Sequence, residues 1–230
     1  MYRRRRLFSL TFIAAVMVYV IISLAWVSDS PTPQQTAVKT STVSSPAAEA
    51  LKKLTVMGRA PKTGYTRDQF GSGWESKAGC DTRNVILNRD LYNVVTNEKC
   101  QVVSGMLSDP YTGKTIAFVR GGSTSDDIQI DHVVALSDAW QKGAQQLTRE
   151  ERVALANDPL ELLAVDGGAN QQKADGDAAT WLPSNKAFRC QYVARQIAVK
   201  SKYKLWVTAA EYNAMSGVLE KCPDQLLPSP

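Results

Sequence analysis

The chain has 230 residues and a formal charge of +5, which admits one or two domains. Four of the positive charges are Arg3 to Arg6, and residues 51–230 carry 22 Lys and Arg against 20 Asp and Glu, so global basicity is no argument for a nucleic-acid partner. A single histidine, His132, rules out a multi-histidine metal site, and the lack of a Cys-x-x-Cys pair argues against a zinc cluster.

From the N-terminus, the arginine cluster precedes an almost continuously apolar run from Leu7 to Val27. Such a segment is a signal peptide or a membrane anchor. Its length approaches that of a bilayer span, and the preceding arginines hold the N-terminus inside and send the rest across. Ser23-Leu24-Ala25 offers a small-x-small cleavage site, although the length favours an uncleaved anchor over residues 1–27. Residues 28–50 are rich in Ser, Thr, Pro, Ala and Gln without an aromatic residue, and read as a disordered linker. Residues 51–230 then form the domain, with its folded part from about Leu51 to Cys222. The protein is thus expected outside the cytoplasm, anchored or secreted, with the membrane as a partner if the segment is retained.

The four cysteines, Cys80, Cys100, Cys190 and Cys222, suit two disulfides beyond an export signal. Sequence neighbours suggest Cys80–Cys100 and Cys190–Cys222, although four cysteines permit three pairings.

Within the domain, residues 51–79 read as an irregular lead-in with one short helix. Cys80 to Leu87 leads into a helical pattern that reaches Leu91. Tyr111-Thr112-Gly113-Lys114 is a turn, and Thr115 to Val119 a strand. Ile128 to Ala135 is a second strand. Thr148-Arg149-Glu150-Glu151 is a capping box that opens a helix through Ala156. Leu160 to Val165 is a short apolar strand, Asp166 to Ala169 a turn, and Asn170 the start of a short helix. After Pro183-Ser184 comes a helix of about fifteen residues containing Cys190. Thr208 to Glu211 is a second capping box whose helix ends near Cys222. A bridge from Cys190 to Cys222 would staple these two helices as a hairpin.

Lys186, Arg189, Arg195, Lys200, Lys202 and Lys204 follow one another without an intervening acid, with Tyr192, Tyr203 and Trp206 interleaved. The run suits either a phosphate-facing surface or a solvated helix face. Trp140, Trp181 and Trp206 read as core or rim aromatics. Asp175 and Asp177 read as turn residues or caps.

The residues with most chemical content are Asp131 and His132, side by side in the strand Ile128 to Ala135. Neighbours on a strand point to opposite faces, so the two share a site only if the strand end is bent or bulged. An Asp oxygen suits a hard cation such as Mg²⁺, and Asn170 can add a neutral oxygen. His132 is suited to take a proton from water, because an imidazole titrates near neutrality.

These residues resemble the HNH (ββα-metal) endonucleases, in particular the family related to the C-terminal part of GmrSD-type restriction enzymes. The resemblance rests on Ile130 to Leu136, on Asn157 to Val165, and on Asn170-Gln171-Gln172-Lys173. Asp175-Gly176-Asp177, Trp181-Leu182-Pro183 and Cys80 to Asn84 also match, so most of residues 75–222 are covered. It implies an α+β fold with a ββα-metal core, surrounding helices and a disulfide-stapled C-terminal helical hairpin. By position, His132 resembles the general base, and Asp131 and Asn170 the ligands of a divalent metal, Mg²⁺ first with Mn²⁺ or Zn²⁺ as alternatives. Glu161 stands where the family usually has an Asn. It would either accept a hydrogen bond from the His132 ring and orient it, or face solvent. Lys173 or Arg83 would neutralise a phosphate, although Arg83 also suits a structural hydrogen-bond donor. The implied activity is metal-assisted phosphodiester hydrolysis of nucleic acid, DNA first, with little sequence preference and no sign of an oligomer. The alternative is a non-enzymatic, membrane-tethered envelope binding module.

Overall fold

The computed structural model describes residues 45–121 and 124–228. The expected signal or anchor segment and residues 28–44 of the expected linker lie outside these. Among the described residues no helix is long and apolar enough to cross a membrane. The linker reading through residue 50 gives way at Ser45. That serine caps helix α1 (Pro46–Leu51) by accepting the Ala48 N–H, with proline in the first turn. Ala47, Ala48 and Leu51 are buried. Six residues would not hold a helix in isolation. Packing of the small apolar face against the two C-terminal helices does so here.

A short antiparallel pair, β1 (Ser76–Lys77) and β2 (Cys80–Asp81), leads to α2 (Thr82–Asp90), capped by the Asp81 carboxylate. A three-stranded antiparallel sheet follows in the order β3 (Leu91–Thr96), β4 (Val102–Ser108), β5 (Thr115–Val119). The second sheet is a pair, β6 (Ile128–His132) and β7 (Leu162–Asp166). Between its strands run α3 (Leu136–Gln141) and α4 (Arg149–Ala156), the latter with the capping box expected at Thr148 and Glu151. Directly after β7 comes α5 (Gly167–Lys173), capped by Asp166 and packed on both strands. Glycine is required at its first position, because a Cβ at Gly167 would lie 2.5 Å from the Asp126 carbonyl oxygen. Helices α6 (Arg189–Lys202) and α7 (Ala209–Leu219) complete the chain, α7 with the second expected capping box at Thr208 and Glu211.

The β6–β7 pair lies between two cores, which explains why β7 reads as a continuous apolar run. Ile128, Ile130, Leu162 and Ala164 face the smaller core, with Ile86, Leu87, Leu107 and Phe118 from α2 and the first sheet. Leu163 and Val165 face the larger core built on α1, α3, α6 and α7. The register pairs Asp131 with Leu163 and His132 with Leu162. Strand alternation therefore sends Asp131 to the larger core and His132 to the smaller.

Both disulfides join the cysteines that neighbour in sequence, Cys80 with Cys100 and Cys190 with Cys222. The second ties the start of α6 to the residues just after α7 across a 32-residue separation. Replacing Cys190 and Cys222 by serine together is expected to cost about 2–5 kcal/mol, read as a lowered midpoint in urea unfolding under non-reducing conditions.

Candidate active site

β6 stays regular through His132, so the bend that would bring Asp131 and His132 to one point is absent. Two environments result, one on each face of the strand.

On the larger-core face, Asp131 is buried. Its Oδ1 accepts a hydrogen bond from Lys173 Nζ at 2.9 Å, and its Oδ2 accepts one from the Tyr111 hydroxyl. Lys173, itself 2 % exposed, also donates to the His132 carbonyl at 2.8 Å. One turn earlier on α5, Asn170 Nδ2 donates to Gln129 Oε1 at 2.9 Å. The hairpin and the helix thus bring Asp131, Asn170 and Lys173 to one interface, as the sequence suggests. The arrangement there differs from the expected ligand set. An ammonium holds the place beside the carboxylate where a cation would sit, and Tyr111 takes the second oxygen. Among the described residues no group of three His, Cys, Asp or Glu could hold a metal ion. The residues as placed do not fit the divalent metal that the family resemblance implies. Lys173→Met would leave the buried Asp131 carboxylate without its counter-ion and is expected to destabilise the domain, read as a lowered midpoint in urea unfolding.

On the smaller-core face, the His132 ring is 6 % exposed. Its Nε2 lies 3.0 Å from the Ala156 carbonyl oxygen at the end of α4. A carbonyl only accepts, so Nε2 carries the proton and Nδ1 keeps the lone pair. The Trp74 indole stacks on the imidazole with ring centroids 5.6 Å apart and 9° between planes. A cavity of about 160 Å³ adjoins the ring, lined by Arg67, Asp68, the Phe70–Trp74 segment and Ala156. Arg67 is exposed and has no carboxylate partner among the described residues.

Burial, and then the Arg67 charge, push the His132 pKa down to about 3. The imidazole is therefore neutral at ordinary pH. In the unfolded chain it titrates near 6.5, so between pH 6.5 and 3 the unfolded state binds a proton that the folded state does not. Stability from this residue is present above pH 6.5 and is lost as pH falls through that window. At pH 4.5 the loss is expected to be about 2–3 kcal/mol. Comparing melting at pH 7 and pH 4.5 for wild type and His132→Gln checks this: the variant should lose that much less on acidification.

Glu161 neither orients the His132 ring nor faces solvent. It precedes Leu162, the residue opposite His132, so its side chain leaves on the other face. It is fully buried, and both carboxyl oxygens lie 3.2 Å from the Val134 N–H. Burial holds its pKa well above the usual carboxylate range. The Ala156 carbonyl, which no side-chain motif marks, does the orienting expected of Glu161. Arg83 lies at the other end of β6, donating to the Ile128 carbonyl at 3.3 Å, so it braces the strand and does not reach the His132 cavity. Lys173 reaches Asp131 and not an open surface.

Only part of the basic run is held inside the protein, and Lys186, Lys202 and Lys204 are exposed. Lys200 is buried in an ion network, Lys202 pairs with Asp158 at 2.6 Å, and Arg195 and Arg189 donate to backbone carbonyls. It does not form a continuous phosphate-facing surface. Arg67 and Trp74 were hidden in the lead-in, where no periodicity or motif singles them out.

The fold and the site define a small α+β domain in which a strand pair with a following helix sets one neutral imidazole beside an arginine. Residues 81–218 match the C-terminal domain of GmrSD restriction endonucleases, and the chain belongs to that family. It is also 36 % identical over 204 residues to an uncharacterized secreted protein of Arthroderma benhamiae, covering 88 % of this chain and 97 % of that protein. No solved structure matches.

Proposed function

We propose that the protein is an endonuclease of the HNH type that hydrolyses phosphodiester bonds of nucleic acid outside the cytoplasm, with DNA as its first substrate and little sequence preference. The observation that carries the reading is His132. It is the chain's one imidazole, it is neutral, and its Nε2 is pinned to Ala156 O beside an arginine that pairs with no carboxylate among the described residues. Family membership supports the nuclease chemistry. Two disulfides and a relative described as secreted support the compartment. Retention by residues 1–27 in the membrane belongs to the same proposal.

In this mechanism the His132 ring, once open to water and relieved of the burial that lowers its pKa, takes a proton on Nδ1 from water as the water oxygen attacks phosphorus; the bond from phosphorus to the leaving alkoxide breaks in line, and the alkoxide takes its proton from solvent water. Arg67 pairs with the non-bridging phosphoryl oxygens and offsets the charge that grows there. The Ala156 carbonyl fixes the tautomer and stabilises the imidazolium that forms. Lys173 and Asp131 position the strand end: the ammonium holds the His132 carbonyl and is itself held by the carboxylate. The test is cleavage of end-labelled DNA and RNA oligonucleotides, single- and double-stranded, by the purified protein. Cleavage within the strand supports the reading, and intact substrates across the set overturn it.

A further inference from the structure

His132 cannot act in the conformation described. The cavity beside it, about 160 Å³, is below the roughly 300 Å³ at which ligand-sized pockets begin. Its cover is the segment Gly71–Trp74. On one side the chain is tied down at Gln69, whose carbonyl and side-chain oxygens both accept from Arg152 at 3.0 Å. On the other it is tied at Glu75, whose N–H donates to Asn157 Oδ1 at 2.9 Å and whose carbonyl accepts from the Thr82 N–H at 2.8 Å. Between these anchors, Ser72, Gly73 and Trp74 make no hydrogen bond to any described residue, by backbone or side chain. The indole N–H of Trp74 is among the unpartnered groups. Trp140 and Trp206, by contrast, each donate to a backbone carbonyl. Gly71 sits at φ +100°, open to glycine alone at low cost, and forms a natural pivot.

The same segment also walls a larger groove outside. That groove, about 640 Å³, is lined by Gly71 to Glu75 together with Arg149, Glu150, Val153 and Ala154. It has the volume for a nucleotide, its lining sets Arg149 against the carboxylates of Glu75 and Glu150, and Trp74 stands between it and His132. Trp74 has one aromatic partner, the imidazole. Swinging the segment outward would break that stack and leave an indole face unpaired unless another π-face replaced the ring.

We propose that Gly71–Trp74 is a substrate-displaced cover, and that Trp74 exchanges its stack on His132 for a stack on an unpaired nucleobase of a single-stranded substrate lying in the outer groove. The exchange uncovers His132, beside the already exposed Arg67, for the adjoining phosphate. It rests on the nuclease reading, and it gives unpaired strands an advantage over duplex, whose bases stack on one another.

The single histidine makes the uncovering directly measurable. Diethyl pyrocarbonate modifies neutral imidazole, and absorbance at 240 nm here reports one residue. Wild type should react slowly, and Trp74→Ala at least tenfold faster. In the non-cleaving His132→Gln background, a single-stranded oligonucleotide carrying 2-aminopurine should lose fluorescence on binding, and should not when Trp74→Ala is added. Trp74→Leu keeps an apolar cover if the alanine variant melts early, and it too should abolish the quench. A modification rate within twofold of wild type in Trp74→Ala overturns the proposal. So does a quench that survives either Trp74 variant, or no binding of the strand at all. Because neither readout requires turnover, a protein that shows the exchange but cleaves nothing refutes the nuclease reading alone.

Discussion

Lys142→Met is expected to destabilise the domain by about 3–5 kcal/mol, the cost of leaving buried charges without their partner. Lys142 is fully buried at the end of α3. Its ammonium lies 2.8 Å from Asp138, 2.7 Å from Asp177 and 2.6 Å from Glu211. Burial pulls its pKa down, but the three carboxylates outweigh that and raise it. Arg59 reaches Asp138 and Asp177 at 2.7 Å each, and Lys200 reaches Glu211 at 3.0 Å. The network joins the N-terminal lead-in, α3, the turn after α5, α6 and α7, so its loss acts on elements far apart in sequence. Against a typical total of about 5–15 kcal/mol the effect is large. It corresponds to a fall of roughly 6–20 °C in Tm for a domain of this size. A Lys142→Met protein within 1 kcal/mol of wild type in urea unfolding would show that the network contributes little.

His132→Ala should reduce nucleic-acid cleavage by about 10²–10⁴-fold, the usual contribution of a positioned general base. The fold should survive, because the ring's polar attachment is a single hydrogen bond to Ala156 O. The lost stack with Trp74 costs only about 1 kcal/mol beyond burial. Removing the ring also removes a group that resists protonation, so the variant should be relatively more stable in acid. Loss of activity together with gain of acid stability separates removal of a buried neutral base from general damage, which would lower both.

Much of the frame was legible because it is local. The capping boxes at Thr148 and Thr208, the two disulfide pairings and the sequence of strand, helical insertion, strand and helix around Asp131 and Asn170 each follow from residues close in the chain. Strands β3 and β4 were not legible. Leu91 to Thr96 continues directly from a helix, and the burial of β4 is set by what packs on it from distant segments. The site was half legible. Asp131 and His132 stand out in the sequence, yet which face each takes depends on the strand remaining straight, and that is fixed by pairing with Leu162 and Leu163. Lys173, read as a phosphate contact, is drawn inward because Asp131 on the larger-core face needs a counter-ion. The cations of α6 suggested a surface from sequence alone, since the carboxylates that bury Lys200 lie on α3 and α7. Arg67 and Trp74 meet His132 only through folding of the lead-in over α4.

The most direct test of the account is a side-by-side cleavage assay of wild type and His132→Ala on labelled single-stranded DNA, with melting curves showing that both are folded. The account predicts internal cleavage by wild type and at least a hundredfold slower cleavage by the variant. Equal cleavage by two folded proteins, or none by wild type, would contradict it.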